Sequence, residues 1–104
     1  MAQELIGIIG GTGLGDALAE HIDDARTHSI DTPFGKTSTE ILVGTFGQRQ
    51  VAFLNRHGKG HKLSPGEIPF AANIFALKKI GVRAIISSGA VGSLRDHIAP
   101  GDLV

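Results

Sequence analysis

LIGIIGGTG, residues 5–13, decides the fold class: an apolar run that stops on a cluster of glycines. A short run of this kind reads as a buried strand, and the glycines that follow it read as a tight turn. The same pairing recurs at residues 83–87 (RAIIS), a second expected buried strand that enters the small-residue turn of residues 88–93 (SGAVGS). Between the two lie β-rich segments at residues 39–46 and 49–55, separated by Gly47 and Gln48. Glycine first in a two-residue connection suits a type II′ hairpin. A short helix is expected at residues 14–21, weakened by Gly15, and a strand at residues 26–31 ahead of a turn at Thr32, Pro33, Phe34 and Gly35. Residues 69–80 carry the clearest helix signal, with proline in the first turn, Phe70, Ile74 and Leu77 on one face, Lys78 and Lys79 at the end and Gly81 as the stop. A last strand is expected to begin at Asp102.

Strands that end in glycine turns, with a hairpin and helices between them, make an α/β fold with a mixed, partly parallel sheet and flanking helices. In such sheets ligands bind beyond the carboxyl ends of the strands. Three segments follow strand ends here, at residues 10–13, after Asn55, and at residues 88–92, and all three are placed to meet at one rim.

Length and composition narrow the function. A chain of 104 residues is one domain without an internal boundary, and short for most complete enzymes. Lys plus Arg equals Asp plus Glu at 10 each, so no global basic field favours nucleic acid. Phe is the only aromatic residue, which leaves little for base stacking. Cysteine is absent, excluding disulfides and thiolate chemistry within the chain. The run at residues 5–9 is too short for a signal peptide or a membrane span, so a cytoplasmic location is the default expectation.

An anion site, then, has to be local, and NRHGKGHK at residues 55–62 supplies one: three cations, two histidines and two glycines in eight positions. This stretch belongs to an expected long loop, residues 56–68, and loops of that length in small domains tend to be functional. Arg56 offers a bidentate fork, His57 a hydrogen-bond donor, and the glycines close approach. A solvated loop with scattered charges is the plainer alternative. Zinc at His57 and His61, four positions apart, is disfavoured because Gly58 and Gly60 oppose a helix and no third ligand presents itself.

The glycine turn at residues 10–13 fails two stronger motifs. G-x-G-x-x-G counted from Gly11 lands on Asp16, and a P-loop requires Gly-Lys-Ser/Thr where this chain has Gly13-Leu14. What survives is a turn whose amides, with the Thr12 hydroxyl, suit a single phosphate; a purely structural turn fits equally well. Ser87, Ser88 and Ser93 lack the G-x-S-x-G elbow of a nucleophile, and the turn reads instead as a second source of amides. Asp23, Asp24 and Asp96 read as solvated charges.

Five ordered stretches resemble a known family: IGIIGGTGL (residues 6–14), DTPFGKTS (31–38), RHGKGHKLSP (56–65), AANIFALKKIGV (71–82) and GAVGSLRDHIAPGDLV (89–104). Together they resemble the N-terminal part of the 5′-methylthioadenosine phosphorylases, within the trimeric purine nucleoside phosphorylase family, over nearly the whole chain. The resemblance implies a phosphorylase-like α/β fold and reversible phosphorolysis, in which inorganic phosphate attacks the sugar carbon of a purine nucleoside. It implies no cofactor, with phosphate as co-substrate, and a homotrimer as the assembly. Family phosphate ligands carry over to Thr12, Arg56, His57, Gly89 and Ala90, with Gly11, Ser88 and His61 as further candidates. No catalytic side chain is expected in this portion. At the position of Gly89 family members often carry threonine or asparagine, so one side-chain donor is missing here.

Family enzymes are more than twice this length, and their later part carries the purine and 5′-substituent pockets. The chain is therefore expected to be the N-terminal portion of a larger phosphorylase, inactive alone, with an exposed sheet edge. Methylthioinosine or an ordinary purine nucleoside is an alternative substrate, and a non-catalytic phosphate- or nucleotide-binding fragment is the alternative of another class.

Overall fold

The computed structural model describes residues 4–11, 13–58, 62–89 and 93–103. Five strands form one sheet: β1 (Leu5–Gly10), β2 (Ile22–His28), β3 (Ile41–Phe46), β4 (Arg49–Asn55) and β5 (Val82–Ser87), in the order β2-β3-β4-β1-β5. β1 pairs in parallel with both β4 and β5, whereas β2, β3 and β4 form an antiparallel meander. The mixed sheet read from the sequence is the one that forms. A short helix, α1 (Leu14–Ala19), follows β1, and α2 (Phe70–Lys79) makes the crossover between β4 and β5.

The β3–β4 hairpin turns at Gly47, whose φ of 62° is the first-position torsion of a II′ turn, while Gln48 is not among the positive-φ residues. The core lies between α2 and one face of the sheet, where Ala76 and Leu77 meet Ile41, Ala52 and Leu54, with Leu5, Ile9, Val43 and Val82 packed around them. Alternation along β1 sends Gly10 to the opposite face, toward Leu14 of α1 and Phe53.

Several boundaries and burials differ from the sequence reading. β2 begins at Ile22, four residues before the expected strand, and ends at His28, three short of it. Its register shifts between Asp23 and Arg26, and Asp24 sits at φ 53°, a bulge that the acidic pair gave no sign of. β3 starts at Ile41 rather than residue 39. The loop after β4 contains a 3-10 turn, Pro65–Glu67, closed by a Ser64/Glu67 capping box. Pro69 is the cap of α2, outside its first turn.

The buried face of α2 is Ala72, Asn73, Ala76 and Leu77, while Phe70 and Ile74 are exposed. Small residues allow the helix to approach the sheet closely, so size misidentified the inward face; only Leu77, at the margin of the two, was placed correctly. β5 is a correction as well. It was expected to be buried, yet residues 83–87 are exposed, because β5 is an edge strand bonded to β1 alone. No strand begins at Asp102, whose carboxylate instead accepts the Ala99 amide in a turn.

Candidate functional site

β4, β1 and β5 are parallel neighbours, so their carboxyl ends share one edge of the sheet. Gly10 stands in register with Asn55, and Ile9 with Ser87. The next residue on each strand, Gly11, Arg56 and Ser88, therefore lies on that rim. The backbone keeps the exits adjacent: the Arg56 amide donates to the Gly10 carbonyl at 3.1 Å, and the Ser88 amide to the Ile9 carbonyl at 3.0 Å.

Arg56 joins all three. Its Nη1 donates to the Ser88 carbonyl, and its Nη2 lies against Gly11, where an added Cβ would stand only 2.9 Å away. Gly11 is thus required for close approach, not for torsion. Arg56 as a residue is half-buried, and among the described residues no carboxylate pairs with its guanidinium. A positive charge that is positioned by a carbonyl and left without a counter-ion is suited to an anionic guest.

His57 is buried next to it. Leu63 closes the loop on both sides of this residue: the Leu63 amide donates to the His57 carbonyl at 2.8 Å, and the ring Nδ1 lies 2.8 Å from the Leu63 carbonyl. A carbonyl only accepts, so Nδ1 carries the proton and the ring orientation is fixed. The His57 amide donates to Asn55 Oδ1 at 3.1 Å, and the Gly58 amide to the Asn55 carbonyl at 3.1 Å. The charged part of the expected long loop is thus tied by Asn55 at its start and by Leu63 beyond it.

Gly89 follows Ser88 on the rim, and a Cβ there would meet nothing within 4 Å. Its glycine is not demanded by packing. Thr12, Ala90 and His61, the other candidates, lie outside the described residues, as do Lys59 and Gly60. Ser93, weighed as a nucleophile, is exposed and bonded within its own turn to Arg95, and among the described residues no base is bonded to its hydroxyl.

A cleft of about 660 Å³ opens beside the loop, with Leu42, Phe53 and Leu63 as apolar lining and Ser38, Asn55 and Lys62 among its polar groups. Sequence reasoning missed this cleft, because its walls come from β3, β4 and two loops, and no local motif announces them. The tether role of Asn55 was also missed, although an Asx side chain at the last position of a strand is a recognisable turn signal. The second cleft, about 490 Å³, is lined by residues of β2 and β3 and by Gln50, at the opposite end of β4 from the rim.

Residues 5–104 match the family described as the Phosphorylase superfamily. The S-methyl-5′-thioadenosine phosphorylase of Nitrosopumilus maritimus is 52% identical over 99 residues, covering 95% of this chain and 37% of that protein. The methylthioadenosine phosphorylase of Schistosoma mansoni, solved in complex with adenine, superposes with a TM-score of 0.87 at 38% identity, over 96% of this chain and 35% of that one. Its complex with tubercidin gives a TM-score of 0.85 at 37% identity, over 96% and 34%. The chain spans about a third of the length of the relatives it matches. Sheet order, rim and sequence agree on one conclusion: the chain belongs to the phosphorylase superfamily.

Proposed function

We propose that the chain is the N-terminal portion of a single α/β phosphorylase domain that cleaves 5′-methylthioadenosine, giving adenine and 5-methylthioribose 1-phosphate. The observation that carries this reading is the guanidinium of Arg56, set between the Gly11 backbone and the Ser88 carbonyl at the ends of three strands. Phosphate held there is the nucleophile. One of its oxygens bonds to C1′ of the sugar as the C1′–N9 bond breaks, and the purine leaves with the bonding electrons and takes up a proton. Charge develops as oxocarbenium character on the sugar, which the phosphate opposite stabilises. The contribution of these residues is to position and electrostatically bind the anion, not to attack.

In this reading Thr12, Arg56, His57, Gly89 and Ala90 hold the phosphate, assisted by Gly11, Ser88 and His61. The neighbouring cleft is within the range of about 300–1,000 Å³ that small-molecule sites occupy. The names of the relatives and the adenine- and tubercidin-bound neighbours support a 6-aminopurine substrate. No cofactor enters, and a cytoplasmic homotrimer completes the proposal.

The test is phosphate-dependent release of adenine from methylthioadenosine. It is run on the 104-residue chain and on a polypeptide that continues this chain into the remaining two thirds of the Nitrosopumilus relative. The longer polypeptide is expected to release adenine only when phosphate is present, and the short chain to release none. Release that does not depend on phosphate, or none from the longer polypeptide, refutes the proposal.

A further inference from the structure

Asn73 is among the most deeply buried polar residues described, 1% exposed in the middle of α2. Its side chain is spent on a segment 35 positions away. Asn73 Oδ1 accepts the Ser38 amide at 2.9 Å, and Nδ2 donates to Ser38 Oγ at 2.9 Å. Both halves of the amide thus grip one residue of the strap that links β2 to β3. The strap has a second anchor on the same helix, where Phe34 meets Phe75 edge to face at 6.0 Å. Thr37 Oγ1 also donates to the Thr39 carbonyl at 2.6 Å, which stiffens the strap around Ser38.

The strap then meets the anion loop. A Cβ on Gly58 would lie 3.1 Å from the Ser38 carbonyl oxygen, and Gly58 sits at φ 78°. The Ser38 carbonyl is therefore pressed against the backbone directly after His57. A burial this complete, with both amide atoms satisfied by a loop and none by the helix or sheet, is more than α2 needs to pack; alanine stands at the neighbouring inward positions 72 and 76.

From this geometry we infer that Asn73 is a positioning residue for the phosphate loop: it clamps Ser38, and Ser38 sets the place of Gly58, and with it Arg56 and His57. The inference rests on the proposed phosphorolysis for one of its two readouts and is independent of it for the other. A side chain that fixes a backbone acting on a charged ligand changes affinity for that ligand more than it changes the chemistry.

The experiment uses the extended polypeptide with Asn73→Leu, and Ser38→Ala as a milder variant that keeps the backbone bond to Asn73. With Asn73→Leu the phosphate KM is expected to rise by about tenfold, and with Ser38→Ala by about threefold, the loss expected of one or two hydrogen bonds. With Asn73→Leu, which lies outside the cleft lining, the nucleoside KM and kcat should stay within about twofold, a split that general destabilisation does not produce. Amide hydrogen exchange is followed in parallel. Exchange at Gly58 and Leu63 should accelerate in both variants, and in Asn73→Leu it should do so along with the Ser38 amide. If Ser38 exchanges faster while Gly58 and Leu63 keep wild-type protection, the inference is overturned, whether or not the protein turns over. If the wild-type polypeptide shows no phosphorolysis but its exchange pattern follows this coupling, the functional proposal fails and the positioning inference stands.

Discussion

Replacing Gly11 with alanine isolates the role of Arg56 without touching it. Gly11 is not in the left-handed region, so alanine is acceptable to the backbone. The added Cβ would lie 2.9 Å from Arg56 Nη2 and 3.4 Å from Cζ. Favourable contact needs about 3.5 Å or more, so the guanidinium must retreat by roughly half an ångström. That shift strains the bond from Nη1 to the Ser88 carbonyl. Hydrogen bonds to charged groups contribute about 1.5–3 kcal/mol, and about 1.4 kcal/mol is tenfold in affinity, so a partial loss should weaken phosphate binding by about tenfold. Stability should not fall in parallel. The displaced group is the far end of a half-buried side chain, and Gly→Ala at a compatible position stabilises by about 0.4–1 kcal/mol through the unfolded state. The assay is the phosphate dependence of purine release by the extended polypeptide, with a thermal melt of the same sample. A phosphate KM within about twofold of wild type would show that Arg56 does not act from the position described.

Three further outcomes follow from named contacts. Arg56→Ala in the extended polypeptide should raise the phosphate KM well above the effect of Gly11→Ala, with nucleoside KM nearly unchanged and the circular dichroism spectrum intact; an unchanged phosphate dependence removes Arg56 from the site. Gly89→Thr has open space for its side chain and restores a hydroxyl to the rim, so it should lower the phosphate KM by about two- to fivefold, and a rise would place Gly89 away from the anion. Glu67 is held below the ordinary 4.5 by its hydrogen bonds from the Ser64 hydroxyl and, secondarily, the Ser64 amide. A lowered folded-state value means that the cap stabilises the turn above pH 4.5 and is lost as pH falls through the folded value. Ser64→Ala should therefore move the Glu67 carboxylate titration, followed by NMR, up toward 4.5; an unshifted midpoint would mean that the cap is absent in solution.

The sheet was legible where local sequence determines local structure. The LIGII run forms a strand as expected, although its leucine and isoleucines are half-buried and only the strand's glycines are buried. Gly47 and Gly81 meet backbone requirements that glycine satisfies at the hairpin and at the end of α2. Errors came where the outcome depended on distant partners. Ile85 and Ile86 specify a strand, but no local pattern says what covers it. The inward face of α2 was set by how closely alanines let the helix approach β3 and β4, which apolar size does not reveal. β2 hid behind Asp23 and Asp24 because an edge strand keeps its polar residues in water and needs only Ile22 as an anchor.

For the candidate site, charge and glycine content located the loop, and the α/β pattern placed its neighbours on one rim. Two elements were beyond sequence reasoning. The amide grip of Asn73 on Ser38 spans 35 positions, and the Gly11–Arg56 approach is a feature of side-chain packing. Neither produces a periodicity or a motif, since each depends on where the sheet register puts two unrelated segments.

The central claim is that the ends of β1, β4 and β5 hold one anion between them. Its most direct measurement is a titration of the isotopically labelled 104-residue chain with inorganic phosphate, followed through backbone amide resonances. Gly11, Arg56 and Gly89 should shift together along one saturating curve, and Arg56→Ala should flatten all three. Independent curves at the three positions, or a response confined to exposed lysines, would contradict a shared site.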